Sequence, residues 1–282
     1  MKSPLIGSIV MGSIALKGLK IFVSALEHWH PTAKLYIYTD SKTPIPSIKT
    51  TCTIYSKVML DAYSDIDHRE AETKEGKTYK LMWADFMYEK ANIIQWIFDT
   101  EETAKETGVW YMDMDVTHFA PLPTIPKGAT LGLSPYNIVD EYIKIFGKYN
   151  AGYIWFGNQA ILDDWRKAGH TSRFFEQAAL EDLVGTNIVY EFPIQVNYGW
   201  WHMSHSPLSA HEHIRKISLY RPDTSIGIRY DNKILQSVNT HWNHNVDSEV
   251  GYFNKVFLNF INKHRVHKPL VTLHKIISPK KK

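Results

Sequence analysis

A chain of 282 residues with 44% hydrophobic and 22% charged residues has the composition of a globule with a large core, which excludes a disordered polymer; a net charge of +3 is too mild for a dedicated nucleic-acid binder. The lone cysteine, Cys52, rules out an intramolecular disulfide and fits a reducing, cytoplasmic compartment. Glycine and proline are scattered, with no linker and no repeat, so one α/β domain is expected.

Leu5 to Met11 reads as a first strand. The stretch Leu5 to Leu16 also has the outline of a short signal peptide, but Gly7, Ser8, Gly12 and Ser13 dilute it and it is too short to span a bilayer, so no membrane anchor is expected. Leu19, Phe22, Val23, Leu26 and Trp29 then fall at helical spacing before Pro31, and Lys34 to Thr39 forms a second strand ending in Asp40. Strand, helix and strand together make a right-handed parallel βαβ unit. Residues 41 to 78 are polar, with a short strand predicted at Thr51 to Tyr55 and a mobile charged loop from Asp61 to Lys77. Leu81, Trp83, Ala84, Met87, Ala91, Ile94 and Phe98 mark a helix over Lys80 to Phe98.

The run Val109-Trp110-Tyr111-Met112-Asp113-Met114-Asp115 is the most informative in the chain. An apolar strand delivers two carboxylates in i, i+2 register, so that in an extended chain Asp113 and Asp115 share a side while Met114 faces away. Hard oxygen donors of this kind suit magnesium or manganese, which share their coordination between one or two carboxylates and a substrate diphosphate. A bare Asp-X-Asp is more often a solvated turn or a cap, but here it follows a strand apolar on both faces. Thr117 to Pro123 reads as an irregular loop. Strands are expected at Ala129–Leu133, Ala151–Phe156, Ile188–Phe192 and Ser237–Trp242, with helices at Gln159–Lys167, Ser172–Val184 and Gly251–Lys263.

Each remaining candidate has two readings. Thr39 and Asp40 lie at a strand's carboxyl end, where they either hydrogen-bond a base or ribose or end a turn. Lys80 offers donor-side positive charge or is an ordinary solvated lysine. Asn150, with the small Ala151 and Gly152, lets a sugar ring approach the backbone or simply precedes a strand. Glu176 ranks first among the later carboxylates. Gly199-Trp200-Trp201-His202 is either a stacking platform or, with better odds, buried packing. His211-Glu212-His213 lacks the spacing of a zinc helix.

Taken in order, the βαβ unit ending in Asp40, the helix opening Tyr79-Lys80-Leu81, Asp113-Met114-Asp115, Tyr149-Asn150-Ala151-Gly152-Tyr153, Phe175-Glu176-Gln177-Ala178-Ala179-Leu180 and His241-Trp242 resemble the motifs of GT-A glycosyltransferases. Glu176 stands where the family more often has Asp, and Asn243-His244-Asn245 where Lys-Pro-Trp often follows the histidine. The resemblance implies a Rossmann-like, mixed but mostly parallel sheet flanked by helices in a single domain. It divides into a nucleotide-sugar-binding half (1–120), an acceptor-side half (121–265) and a C-terminal tail (266–282). It further implies a metal-dependent enzyme moving a sugar from a nucleotide-diphosphate sugar to a glycan, protein or small molecule, or as a minor alternative a modified nucleic-acid base. Asp115 would touch Mn2+ or Mg2+ directly, Asp113 would bridge metal and donor ribose, and Glu176 would be base or orienter. His241 would be a third metal ligand and tilt the preference to manganese. The rival readings are a metal-dependent nucleotidyltransferase or phosphohydrolase, and a non-catalytic sugar-nucleotide-binding domain.

Overall fold

The computed structural model describes residues 3–220, 227–239, 251, 254 and 255. The apolar runs Leu5–Val10 (β1) and Lys34–Thr39 (β2) pair in parallel, and Thr53–Val58 (β3) adds to β2 as an exposed edge strand. Between β1 and β2 runs Gly12–Trp29 (α1), which buries Leu19, Phe22, Val23 and Leu26, the spacing of one helical stripe. The charged segment after β3 is not a plain loop. It holds a 3-10 turn at Asp61–Tyr63 and a short helix, His68–Ala71 (α2), capped by the Asp67 carboxylate, which accepts from Arg69 N at 2.8 Å.

Met82–Thr100 (α3) covers the opposite face of the sheet, pressing Ile93, Ile94 and Ile97 onto Gly7 of β1, where a Cβ would sit 3.2 to 3.3 Å from their side chains. Ala104–Thr107 (α4) and the positive-φ Gly108 then turn the chain into Val109–Met112 (β4), parallel to β1. Since α1 packs with Ile6, Trp110 and Met112 while α3 packs with Leu5 and Tyr111, the helices lie on opposite faces. Strand order reverses between β1 and β4, and a crevice opens there at the strands' carboxyl ends.

Val116–His118 (β5), Leu131–Pro135 (β6), Asp140–Phe146 (α5) and Tyr149–Phe156 (β7) follow. β7 runs antiparallel to both β4 and β6, with a register shift at Leu133/Ser134. Ile161–Gly169 (α6) and Phe175–Ala178 (α7) lead through a 3-10 turn, Ala179–Leu183, to Val189–Glu191 (β8) beside β6. The result is a seven-stranded, mostly parallel mixed sheet of order β3-β2-β1-β4-β7-β6-β8, which runs through both predicted halves. Tyr198–Gly199 (β9), Trp201–Ser204 (α8), Ala210–Arg215 (α9), Ile217–Tyr220 (β10), Gly227–Tyr230 (β11), Lys233–Ile234 (β12) and Ser237–Asn239 (β13) form the rest, as sheets β5-β13-β9 and β10-β11-β12. Among the described residues no helix is long and apolar enough to cross a membrane.

Three expectations change. The loop predicted at 117–123 begins as β5, because it pairs with β13 far along the chain. Asn150 lies inside β7 rather than before it, and the helix predicted over 172–184 is a short α turn continued as 3-10. Of the strand predicted at 237–242, the structure describes residues up to Asn239; most of the predicted closing helix at 251–263 lies outside the described residues.

Two histidines are sealed in this core: His118 is 3% and His202 0% exposed, and burial holds each imidazole down to about 3, assisted by the neighbouring His30 and His213 respectively. Below about pH 6.5 the unfolded chain takes up protons on these rings while the folded chain does not until near pH 3, so stability falls as the pH falls through that window. Each ring is expected to cost about 2 kcal/mol at pH 5 relative to neutral pH. Urea melts at pH 7 and pH 5 check this, and equal midpoints would show the rings to be protonatable in place.

Candidate active site

The crevice between α1 and α3 is a pocket of about 480 Å³, within the range of small-molecule sites. Its floor is the end of β1, Tyr111 and the acid turn; Ile14, Lys17 and Gly18 of α1 form one wall, and Trp83, Met87 and Lys90 of α3 the other. Asp113 and Asp115 both face it, as expected, but not through a strand pleat. The Asp113 N–H donates to Gly152 O at 2.9 Å, extending the sheet by one step, and the Val116 N–H then donates to Asp113 O at 3.2 Å, closing a turn. Met114, expected to face away, also lines the pocket while most of it is buried against α1. The turn is clamped from both sides by glycine. A Cβ on Gly18 would lie 2.9 Å from Met114 O, and one on Gly152 would overlap Asp113 Oδ2 and sit 3.0 Å from Asn150 Oδ1.

The Asp113 carboxylate accepts from Tyr111 OH at 2.9 Å, and the Lys90 ammonium lies 3.7 Å from the same oxygen. Lys90 is 5% exposed and also donates to Glu176 Oε1 at 2.8 Å and Ala151 O at 3.3 Å. Burial alone disfavours its charge, but Asp113 and Glu176 more than offset that and hold the group above the usual lysine range. Burial raises the Asp113 carboxyl, with Asp115 adding, while Lys90 and Tyr111 act in the opposite sense. Tyr111 is pushed well above an ordinary phenol by burial and by Asp113.

Glu176 is 4% exposed and belongs to this cluster through Lys90, although it is not on the pocket wall. Phe175 before it adopts φ 43°, and Trp165 Nε1 donates to the Glu176 carbonyl at 2.8 Å, which ties α7 to α6. Asn150 is 7% exposed and committed internally: its Oδ1 accepts from Gly152 N and Asn197 Nδ2, each at 3.0 Å, and its Nδ2 donates to Tyr136 OH. It therefore seats Gly152 against Asp113 rather than presenting an amide to the pocket. Thr39 donates to Thr43 O at 2.6 Å, and Thr43 Oγ1 accepts from Gly12 N at 2.8 Å, so the end of β2 is tied to the start of α1. Asp40 is 3% exposed, and its Oδ1 has no hydrogen-bond partner among the described residues. Neither Thr39 nor Asp40 lines the pocket.

Lys80 is exposed two residues before α3 and outside the pocket, so the structure does not bring it to the acids. The exposed Lys17 of α1 also lines the pocket, while the buried cation at the site is Lys90. Its signal in the sequence was a lysine at i+4 from Phe86 and i−4 from Ile94, in the middle of the stripe α3 buries, where a charge needs a partner. His241 lies outside the described residues; Asn239, the last described residue of β13, pairs with Val116, next to Asp115. Trp201 and His202 are buried, as packing predicts, rather than a free platform.

Among the described residues no group of three or more His, Cys, Asp or Glu is arranged to hold a metal ion. Two carboxylates on a pocket wall are instead an incomplete oxygen set, and that fits a magnesium or manganese ion whose remaining ligands come from water and a diphosphate.

No protein-family model and no curated protein matches the chain. Solved structures that it resembles are glycosyltransferases: GlyE of Streptococcus pneumoniae TIGR4 (12% identity, 71% of this chain and 48% of that one, TM-score 0.43), the bifunctional WbbM (11%, 71% and 40%, 0.46) and mouse xyloside xylosyltransferase 1 (9%, 84% and 97%, 0.44). The chain spans less than half the length of the first two. At TM-scores below 0.5 these likenesses are partial, and the function of the site is read from the strand order and the pocket.

Proposed function

We propose that the protein is a metal-dependent glycosyltransferase using a nucleotide-diphosphate sugar. The observation that carries this reading is the acid turn, Asp113 to Asp115, opening into the pocket at the β1/β4 reversal with Lys90 and Glu176 behind it. Transfer breaks the bond between the anomeric carbon and the diphosphate and forms one to an acceptor oxygen, whose proton passes to the departing diphosphate on which negative charge grows. Asp113 and Asp115 would hold the divalent ion, which supplies Lewis-acid stabilisation of that charge. Tyr111 orients Asp113 by its hydrogen bond, and Lys90 holds Glu176 and Asp113 in one cluster. Asp40, buried at the end of β2 and off the pocket wall, is given no contact with the donor in this reading. Ile14, Trp83 and Met87 give the pocket apolar surface beside the acids.

The test is a thermal-shift titration with uridine and guanosine diphosphates, with and without Mn2+. Manganese-dependent stabilisation is expected in the native protein and its loss in Asp115→Ala; equal stabilisation in that variant removes the metal bridge. Release of nucleoside diphosphate from a panel of sugar donors, dependent on acceptor, then separates transfer from binding. Hydrolysis of a simple phosphoester in its place would favour a phosphohydrolase.

A further inference from the structure

We infer that Lys90 is a positioning residue that competes with the divalent ion for Asp113, so that the ion enters by displacing an ammonium and not by filling a free carboxylate. This rests on the metal-dependent reading above. Four separate elements converge on the one nitrogen: α3 carries it, the turn after β4 supplies Asp113 at 3.7 Å, β7 supplies Ala151 O at 3.3 Å, and α7 supplies Glu176 at 2.8 Å. With those three acceptors placed around it and 6% of its side chain exposed, the ammonium has little water to fall back on. An ion bound by Asp113 would therefore stand within a few ångströms of a fixed like charge, where screening is weak.

Displacement has a consequence on the far side of the cluster. When the ion takes Asp113, Lys90 is left to Glu176 and Ala151 O, so the metal side and the Glu176 side of the site are linked through one side chain. A lysine that merely supported the fold would give the opposite result on removal: a loosened acid turn and weaker metal binding.

The experiment is calorimetric titration of MnCl2 alone into the native protein, Lys90→Met, Lys90→Arg and the double variant Lys90→Met/Glu176→Gln, each checked for folding by circular dichroism. Lys90→Met is expected to bind Mn2+ about tenfold more tightly than the native protein, and Lys90→Arg to stay close to it. The double variant removes the carboxylate that Lys90→Met strands in the core, so it reports even where the single variant fails to fold; it is expected to bind about threefold more tightly. Adding Asp115→Ala to the tighter variant should abolish binding, which locates the ion. Equal or weaker Mn2+ binding in folded variants lacking Lys90 overturns the inference while leaving the metal site standing. Absence of Mn2+ binding in the native protein and in every folded variant lacking Lys90 also overturns the inference, while the metal-dependent reading stands or falls on the nucleotide titration above.

Discussion

On the proposed function, Gly152→Val is expected to lower turnover of a nucleotide-sugar donor about 100-fold while leaving the protein folded, the scale of loss that a displacement of roughly 1 Å at a reacting group produces. Position 152 is in a strand, where valine is well tolerated, and the backbone bond from Asp113 N to Gly152 O survives the change. The added carbon is aimed at Asp113 Oδ2 and at Asn150 Oδ1, and the mobile partner of the two is the carboxylate, because Asn150 is held by Asn197 and Tyr136. Asp113 must then swing away from Tyr111 and Lys90. Turnover measured against melting temperature separates the outcomes: full activity in a folded Gly152→Val protein would show that the carboxylate's present position is not the working one.

Trp165→Ala is expected to cost about 3 to 5 kcal/mol of stability, the range for deleting a large buried aromatic. The ring is 0% exposed, packs against Tyr88 and Phe156 with centroids 5.5 Å away in both cases, and its N–H is spent on the Glu176 carbonyl. Trp165→Phe restores most of the volume but not the donor, and should recover all but about 1 to 3 kcal/mol, the cost of a buried carbonyl left unpaired. Guanidinium unfolding midpoints read both. A loss below about 1 kcal/mol for the alanine variant would mean that α6 and α7 do not close a continuous core there.

The parts of this fold that were legible in the sequence are those set by short-range pattern. β2 falls where the apolar run Lys34 to Thr39 places it, and the stripes of α1 and α3 predicted most of their buried positions, although Trp29, Leu81, Trp83 and Met87 stay partly exposed. What escaped is set by partners distant in sequence. β5 looks like a loop until β13 pairs with it from beyond residue 236, and the acid pair converges through a turn tied to β7 rather than through strand alternation. At the site, Asp113, Asp115 and Glu176 are drawn into one neighbourhood, but the residue that joins Asp113 to Glu176 is Lys90, not the exposed Lys80. Motif order pointed to the lysine at the helix start; the buried stripe pointed to the one in its middle. Asn150 shows the same limit: its amide reads as a ligand donor until the contacts with Asn197, Tyr136 and Gly152 are seen to occupy it.

The pinning of the acid turn between Gly18 and Gly152 divides the labour of change at this site. A shelf gripped on two sides by backbone cannot adapt to a new substrate by shifting, and any side chain introduced at either grip disturbs the acids. Ile14, which is 48% exposed, and the half-exposed Trp83 and Met87 meet no such restriction. Evolutionary drift, or a directed library, can therefore retune which molecule is admitted by replacing those rim residues, with the anchored floor carried over unaltered.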